Sequence, residues 1–360
     1  MDAVVESLSI VMVAPPYFDL PPAGYGGIEA VVADLTDGLM AAGHKVTLVG
    51  AGRNGTLGEL VPVWPGTLGD RLGDPAVEVE IALMTRRAVQ KLIARRAVDV
   101  VHDHTFSGPL NGAIYADLGI PALTTVHGPA HEQNRRFYRA LGTDVGLISI
   151  SNQQRRLAPE LNWVGTVYNG LRPNDWPYAE RKQDYALFLG RYHPTKGAHL
   201  AIEAAHRAGL PLIMAGKKME AVEKEYFEEV IEPMLGPDDV AMGVADAGQK
   251  RELLVNARCL LFPITWQEPF GMVMIESMVC GTPVVALRSG SVPEVVEHGV
   301  TGLICEDPEE LPQALHDVTR IDPAACRRRV AELFSAKAMA RGYAQVYQQA
   351  VESAGRLALV

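Results

Sequence analysis

Two glutamates on either side of a proline–phenylalanine–glycine turn have the spacing of a ligand-binding element. Glu268 and Glu276 lie eight positions apart, and Pro269, Phe270 and Gly271 directly follow the first glutamate. The proline and glycine mark a loop that leads into a helix, and free backbone N–H groups at a helix start can bind an anion. Glu276 stands in an apolar run, where an ionised carboxylate needs a partner. The segment therefore predicts a site for a ligand that carries both phosphates and hydroxyls.

A second polar turn supplies the cations that such a ligand needs. Arg191 and Lys196 lie between Gly190 and Gly197, directly after an apolar segment that predicts a strand. A guanidinium fork and an ammonium point charge suit a diphosphate. The alternative is a solvated basic turn, but the position at the carboxyl end of a parallel strand favours binding.

Two glycine-containing loops add candidate contacts. Tyr25, Gly26 and Gly27 precede a predicted helix, so a ligand could approach the backbone near the positive end of that helix. Plain turns also use paired glycines, and the loop matches neither a GxGxxG fingerprint nor a Walker motif. The later loop at residues 289–294 fits two readings equally well, a binding loop or a common turn with Glu294 as a charge complement to its helix.

Histidines end two of the predicted strands. His102 and His104 flank Asp103 after one strand, and His127 follows another. A metal site would need a third ligand beside the first two histidines, and the sequence offers none, so no metal is predicted. A structural role is the usual one for a lone histidine, but a strand-end position favours function. His104 and His127, with Tyr25, are therefore candidates for the side of the site that takes a second substrate.

Parallel sheets are needed to bring these residues together. Strand-like and helix-like segments alternate in both halves, which predicts an α/β fold with two Rossmann-like, doubly wound parallel-sheet domains facing across a cleft. The polar, turn-rich residues 169–184 predict a linker. The predicted organisation is a first domain at residues 1–170, a linker at 171–184, a second domain at 185–337 and a helical segment at 338–360 that packs back on the first domain.

The individual elements follow from apolar runs and from helical spacing. Predicted strands are residues 8–14, 45–49, 98–102, 122–126, 146–149 and 163–168, and then 185–189, 210–215, 239–242, 259–262, 283–286 and 302–305. Predicted helices are residues 28–42, 81–94, 199–208 and 338–353, with others starting near residues 246, 271, 292 and 309.

Composition excludes several other classes of protein. The formal charge is −10 over 360 residues, which argues against nucleic acid as a partner and also disfavours membrane association. The four cysteines form no CxxC pair, so reduced thiols and a cytoplasmic location are expected. The predicted helix at 81–94 has a basic face, for which a solvated surface is favoured over docking on an anionic membrane; its cations are Arg86, Arg87, Lys91, Arg95 and Arg96.

Taken together, these motifs resemble glycosyltransferase family 4, whose members have the GT-B fold. The resemblance covers nearly the whole chain in the expected order: Gly26-Gly27, His127, Asn169-Gly170, Arg191 with Lys196, Glu268-x7-Glu276 and the loop from Gly290 to Glu294. Ser291 stands where many relatives have a second consecutive glycine.

The resemblance implies a retaining, metal-independent transfer of a hexose, with glucose favoured, from a nucleoside-diphosphate sugar to a hydroxyl of a small-molecule or glycan acceptor. UDP-glucose is the favoured donor and GDP-mannose the next, and no cofactor is expected. Catalytic roles are implied for His127, Glu268, Arg191 and Lys196. The implied donor-binding residues are Gly26, Gly27, Arg191, Lys196, Gly243, Val244, Glu268, Phe270, Gly271, Met272, Val273 and Glu276.

The mechanism and two other functions stay open at this point. Glu268 is the only candidate nucleophile for a double displacement, and its family role is binding, so a front-face reaction assisted by the leaving phosphate is favoured. The alternatives are a non-catalytic nucleotide-sugar-binding protein and a sugar-nucleotide epimerase or phosphorylase on a similar fold. The acceptor and the oligomeric state are not predicted, and the choice of donor base and hexose stays open.

Overall fold

A computed structural model describes residues 7–357 of the chain. The ends of the predicted first domain and of the predicted C-terminal segment, residues 1–6 and 358–360, lie outside this range. The chain forms two compact units. Among the described residues, the first unit contains Gly26–Gly170 together with residues 7–22 and 336–357. The second contains Ala23–Tyr25 and Leu171–Ser335.

The first unit is built on a parallel sheet of seven strands in the order β3-β2-β1-β4-β5-β6-β7. Strands β1, β2 and β4 to β6 are buried almost throughout, as expected for a parallel sheet covered on both faces. The order reverses between β1 and β4, and this switch point is where a doubly wound sheet binds ligands. The strands are β1 Ser9–Val13, β2 Lys45–Gly50, β3 Glu59–Pro62, β4 Val100–Asp103, β5 Ala122–Val126, β6 Val145–Ser149 and β7 Trp163–Thr166.

Five helices connect these strands. The first buries a stripe of apolar side chains at helical spacing, Val31, Val32, Leu35 and Leu39, and the chain leaves it through Gly43 at φ 92°. The helices are α1 Gly27–Ala41, α2 Pro75–Ile93, α3 Gly112–Ala116, α4 Glu132–Ala140 and α5 Asn152–Leu157, with short 3₁₀ turns at Gly69–Arg71 and Gly108–Asn111.

Helix α2 corrects the prediction for residues 81–94. It begins at Pro75 because the Asp74 carboxylate accepts a hydrogen bond from the N–H of Ala76 and the proline takes the first helical position. It ends at Ile93, so Arg95 and Arg96 of the predicted basic face lie beyond the helix.

The second unit repeats the same architecture with six parallel strands in the order β10-β9-β8-β11-β12-β13. Its switch point lies between β8 and β11, and the turns that follow these two strands carry the residues singled out in the sequence. The strands are β8 Ala186–Leu189, β9 Leu212–Ala215, β10 Val240–Met242, β11 Cys259–Phe262, β12 Val284–Leu287 and β13 Gly302–Cys305.

Helices on both faces cover this sheet. They are α6 Ala198–Arg207, α7 Ala221–Tyr226, α8 Glu232–Met234, α9 Ala247–Asn256, α10 Met272–Val279, α11 Val292–Val295, α12 Leu311–Asp317 and α13 Pro323–Leu333, with a π-helical segment at Phe227–Ile231 joining α7 to α8. Helices α7, α8 and α13 were not predicted. The predicted linker region holds a 3₁₀ turn at Pro173–Asp175, and Leu171 pairs with Ser335 in an isolated bridge.

The last helix, α14 at Ala336–Leu357, belongs to the first unit and starts two residues before its predicted start. It packs closely on α1, because a side chain at Gly38 would lie 2.8 Å from the carbonyl oxygen of Ala336. Tyr343 and Tyr347 of α14 are fully buried against the sheet of this unit. Within residues 7–357, no helix is both long and apolar enough to span a membrane.

Candidate functional site

The turn after β8 places two cations at the switch point of the second sheet. Lys196 ends a 3₁₀ turn, Pro194–Lys196, and Gly197 follows at φ 74°. A side chain at Gly197 would lie 2.0 Å from the carbonyl oxygen of Pro263, so glycine is needed there for the turn to approach the segment after β11. The two candidate binding turns are thereby held side by side.

Lys196 and Glu268 are brought together although they lie 72 positions apart. The Lys196 ammonium forms an ion pair with Oε2 of Glu268, and both side chains are largely buried. The indole N–H of Trp266 donates to the same oxygen at 3.0 Å, and the Lys196 ammonium lies 4.6 Å from the Trp266 ring centroid. The sequence predicted both charged residues, but it gave no signal for the tryptophan that positions them.

The loop that carries Glu268 is fixed by the later serine–glycine loop. Ser289 Oγ donates to the carbonyl oxygen of Trp266 at 2.6 Å. The N–H of Ser291 donates to the carbonyl oxygen of Glu268 at 3.0 Å. Gly290 has φ 52°, and a side chain there would lie 2.4 Å from the backbone of Glu268. Ser291, which replaces the second glycine of many relatives, is buried and donates its hydroxyl inward to the carbonyl oxygen of Phe270 at 2.7 Å.

Helix α10 begins directly after the loop that carries Glu268. Gly271 is its N-cap at φ 76° and has no side chain to accept from the first N–H groups, which include those of Met272 and Val273. Glu276 lies one turn further on, where Lys250 of α9 donates to its Oε1 at 2.7 Å. Lys250 is therefore the partner that the apolar surroundings of Glu276 require, and sequence reasoning did not find it.

Arg191 is held by two carboxylates of very different exposure. Its Nη1 lies 3.1 Å from Oε1 of Glu220 and 3.1 Å from Oε1 of Glu223. The Glu223 side chain is fully buried, and its other oxygen accepts from the N–H groups of Met219 and Glu220 at 2.9 and 3.2 Å. A guanidinium has five N–H donors, so these contacts orient Arg191 and leave donors for a further anion.

Two more predicted contacts of the second unit are exposed. Gly243 and Val244 follow β10, and no atom lies within 4 Å of where a side chain at Gly243 would be. Tyr25 is also exposed, and its ring centroid lies 5.0 Å from the ammonium of Lys217. The predicted roles of these three residues stay predictions.

The paired glycines of the first unit have different surroundings. Gly26 has φ 137° and caps α1, and a side chain there would lie 2.9 Å from Pro22. A side chain at Gly27 would meet nothing within 4 Å, so this position is open to a ligand. Next to them lies Glu29, which is buried and was missed by sequence reasoning. Burial raises the pKa of its carboxyl group to about 7, although the N–H groups of Glu29 and Phe18 oppose the shift.

The histidines of the first unit form a buried cluster at the carboxyl end of β4 and β5. His104 Nδ1 lies 2.9 Å from His127 Nε2, and the ring centroids of His102 and His104 are 4.0 Å apart. Burial lowers the pKa of His102 to about 3 and that of His127 to about 4, and it lowers the pKa of His104 well below its usual value. These three imidazoles are therefore neutral at pH 7, and His127 keeps partial exposure.

His102 has a structural environment, whereas His104 has an unpaired nitrogen. His102 is bonded on both sides, to Tyr347 at 2.7 Å and to Thr125 at 2.8 Å. Nε2 of His104 is buried without a hydrogen-bond partner. Among residues 7–357, no group of three or more histidine, cysteine, aspartate or glutamate side chains could hold a metal ion.

Comparison with known proteins identifies the family. Residues 25–169 match the family model described as Glycosyltransferase Family 4, and residues 174–328 match that of Glycosyl transferases group 1. Alpha-maltose-1-phosphate synthase of Mycobacterium tuberculosis is 27% identical over 328 residues, covering 79% of this chain and 81% of the relative.

Solved structures give the same result for the fold. AviGT4, a glycosyltransferase involved in avilamycin A biosynthesis, is 27% identical with a TM-score of 0.73, covering 96% of this chain and 98% of its own. HepE of Anabaena in complex with UDP and glucose is 18% identical with a TM-score of 0.70, covering 95% of this chain and all of its own, and shows the fold alone. The predicted family and GT-B fold class are thus confirmed, and the chain belongs to the family 4 glycosyltransferases.

Proposed function

We propose that this glycosyltransferase moves a hexose from a nucleoside-diphosphate sugar to an acceptor hydroxyl, with retention at the anomeric carbon and without a metal. The observation that carries the proposal is the meeting of Lys196, Glu268 and the start of α10 at the switch point of the second sheet. This place offers an ammonium, a carboxylate and free N–H groups to one ligand, which suits a diphosphate joined to a hydroxyl-rich sugar.

In the proposed complex, Arg191 and Lys196 bind the diphosphate. As the bond between sugar and phosphate breaks, negative charge builds on the departing phosphate, and fixed cations stabilise that charge. Lysine has three N–H donors, so Lys196 can keep its contact with Glu268 while it binds a phosphate oxygen. Glu268 then accepts a sugar hydroxyl, and the N–H groups from Phe270 to Val273 bind phosphate and hydroxyl oxygens.

The nucleoside contacts the remaining candidate residues of the second unit. Glu276 accepts the ribose hydroxyls, and its contact with Lys250 holds the carboxylate in place. The exposed backbone at Gly243 and Val244 contacts the base. UDP stays the favoured nucleotide, as the family resemblance implies. The roles of Gly26 and Gly27 in donor binding, of His127 in catalysis, and of Tyr25, His104 and His127 on the acceptor side are part of the same proposal.

The reaction is proposed to occur on the front face of the sugar. Glu268 is already bonded to Lys196 and Trp266, and this environment suits a binding group better than a nucleophile. The departing phosphate is then the base that takes the proton of the incoming hydroxyl.

The test needs no knowledge of the acceptor. Thermal shift with UDP-, GDP-, ADP- and TDP-sugars identifies the donor, because a ligand that binds the native state raises its apparent stability. Slow transfer to water then releases free nucleoside diphosphate and a hexose whose anomeric form is read by NMR at early time. A Lys196→Met variant should lose about 100-fold or more in rate, with Lys337→Met as the surface control. A non-catalytic binder would hold the donor without releasing nucleotide, and an epimerase would return an altered sugar nucleotide.

A further inference from the structure

A basic groove in the first unit contains none of the residues that were given a catalytic, donor-binding or acceptor-side role above. It has a volume of about 480 Å³ and runs between β3 and the second half of α2. The side chains of Arg87, Lys91, Arg95 and Arg96 line it, and Glu59 is its only carboxylate. The volume falls in the range of small-molecule pockets.

The cations of this groove are mostly uncompensated. Arg96 is paired, since its Nη1 donates to Oε2 of Glu59 at 2.8 Å. Within the described part of the chain, no carboxylate forms an ion pair with Arg87, Lys91 or Arg95. Like charges gathered in one groove repel each other, and this happens in a chain whose formal charge is −10. The local excess of positive charge is therefore opposite to the average of the protein, and an anion would relieve it.

Apolar side chains also line the groove and limit what can bind. They include Val61, Leu92 and the exposed side chain of Met84. Strand β3 is the edge of its sheet, but Pro62 removes one backbone donor from that edge, which disfavours the addition of a peptide strand. A compact ligand with an anionic group and an apolar part fits better than an extended peptide.

The position in the sheet separates this groove from the first unit's strand-end residues. Glu59 is the first residue of β3, and the end of α2 leads toward the start of β4. The groove runs along β3 from Glu59 to Val63, at the edge of the sheet. Strands β2 and β1 lie between β3 and β4, and His104 and His127 follow the carboxyl ends of β4 and β5. We propose that this groove is a second binding site, which takes a phosphate-bearing ligand with an adjoining apolar group. The site does not depend on the proposed donor.

Methionine-methyl NMR tests the site directly, because the Met84 methyl group reports on the groove and those of Met272 and Met274 report on α10. Pyrophosphate is titrated into ¹³C-methyl-methionine protein at constant ionic strength, with Met84→Leu used for assignment. A saturable shift of the Met84 signal is expected. The double variant Lys91→Gln, Arg95→Gln should weaken it by at least about tenfold. Lys337→Gln, Arg341→Gln removes two exposed cations at the same spacing on α14 and should change nothing.

The source of the phosphate is distinguished in a second arm. If a lipid headgroup is the ligand, the protein should sediment with phosphatidylglycerol vesicles and not with phosphatidylcholine vesicles. The Lys91→Gln, Arg95→Gln protein should then stay in the supernatant with both. Binding of pyrophosphate without retention assigns a soluble phosphate compound. The proposal is overturned when sodium chloride shifts Met84 as pyrophosphate does and vesicles are not bound, or when both double variants respond equally. Thermal unfolding of each variant shows that it is folded, and Arg87→Gln serves as a second groove variant.

Discussion

Neutralising Glu223 should strongly lower kcat/KM, although this residue contacts no substrate in the proposed complex. Glu223 and Glu220 both lie 3.1 Å from the same nitrogen of Arg191, yet the Glu220 side chain is 55% exposed and the Glu223 side chain is fully buried. Because water screens the first contact and not the second, the two glutamates form a matched pair for testing how Arg191 is positioned.

The expected magnitudes differ for the same reason. An exposed ion pair contributes about 0–1 kcal/mol, so Glu220→Gln should change kcat/KM by no more than about fivefold. A buried hydrogen bond to a charged group contributes about 1.5–3 kcal/mol. Glu223→Gln keeps the volume and one oxygen for the N–H groups of Met219 and Glu220, but it removes the charge that orients Arg191. A loss of about 10- to 100-fold in kcat/KM is expected.

The assay is nucleotide release with the donor identified by thermal shift. Because Arg191 is proposed to stabilise charge that develops on the leaving phosphate, the loss should fall mainly on kcat and not on KM. Equal kcat/KM values for Glu223→Gln and Glu220→Gln would refute the positioning role. So would a Glu223→Gln protein with a lower unfolding temperature and unchanged kinetics, since that result assigns the residue to stability alone.

Four further predictions concern the same molecule. Glu276→Gln should weaken donor binding by about tenfold in titration calorimetry, because a charged acceptor for the ribose is lost; unchanged affinity would remove that assignment. Gly290→Ala should lower both activity and the free energy of unfolding, the latter by at least about 1–2 kcal/mol, since φ is 52° and the added methyl would meet Glu268; an active, equally stable variant would contradict this. Sugar transfer should be undiminished in EDTA, and activity lost there and restored by Mg²⁺ or Mn²⁺ would oppose a metal-free reaction. The pKa of His102 is about 3 in the fold against 6.5 in the unfolded chain, so the unfolded state takes up a proton first and stability falls as the pH drops below 6.5. Relative to His102→Gln, the wild type should lose about 1.4 kcal/mol per pH unit between pH 6 and pH 4 in urea titrations, and parallel pH profiles would refute this.

The parallel strands were predictable because burial on both faces leaves a simple signal. Segments such as Cys259–Phe262 are continuous apolar runs bounded by polar or turn residues, and this segment forms a strand in the structure. Strand β3 at Glu59–Pro62 gave no such signal, because it is a half-exposed edge strand that contains a proline. Helix α4 was missed for a related reason: of its nine residues only Tyr138 is buried, so no apolar stripe exists to be read.

The candidate site was partly readable for chemical reasons. Charged residues next to glycine and proline at strand ends indicated Arg191, Lys196, Glu268 and Glu276. Their partners could not be found in the same way, because Lys250 lies 26 positions from Glu276 and its spacing carries no local pattern. Long-range pairing depends on how helices pack on the sheet, which a single sequence does not specify.

The ion pairs of the second unit imply how the donor binds. Lys196 is bonded to Glu268, Lys250 to Glu276 and Arg191 to Glu223, so the charges of the site are compensated within the chain. Unpaired, largely buried charges would be costly, and pairing keeps these long side chains ordered. A diphosphate must then share the Lys196 ammonium with Glu268, which weakens the ion pair. A sugar hydroxyl can then donate a hydrogen bond to the Glu268 carboxylate. We infer that diphosphate and sugar bind cooperatively through this pair, so a nucleoside diphosphate alone should bind less tightly to wild type than to Glu268→Gln, whereas the complete donor should show the opposite order.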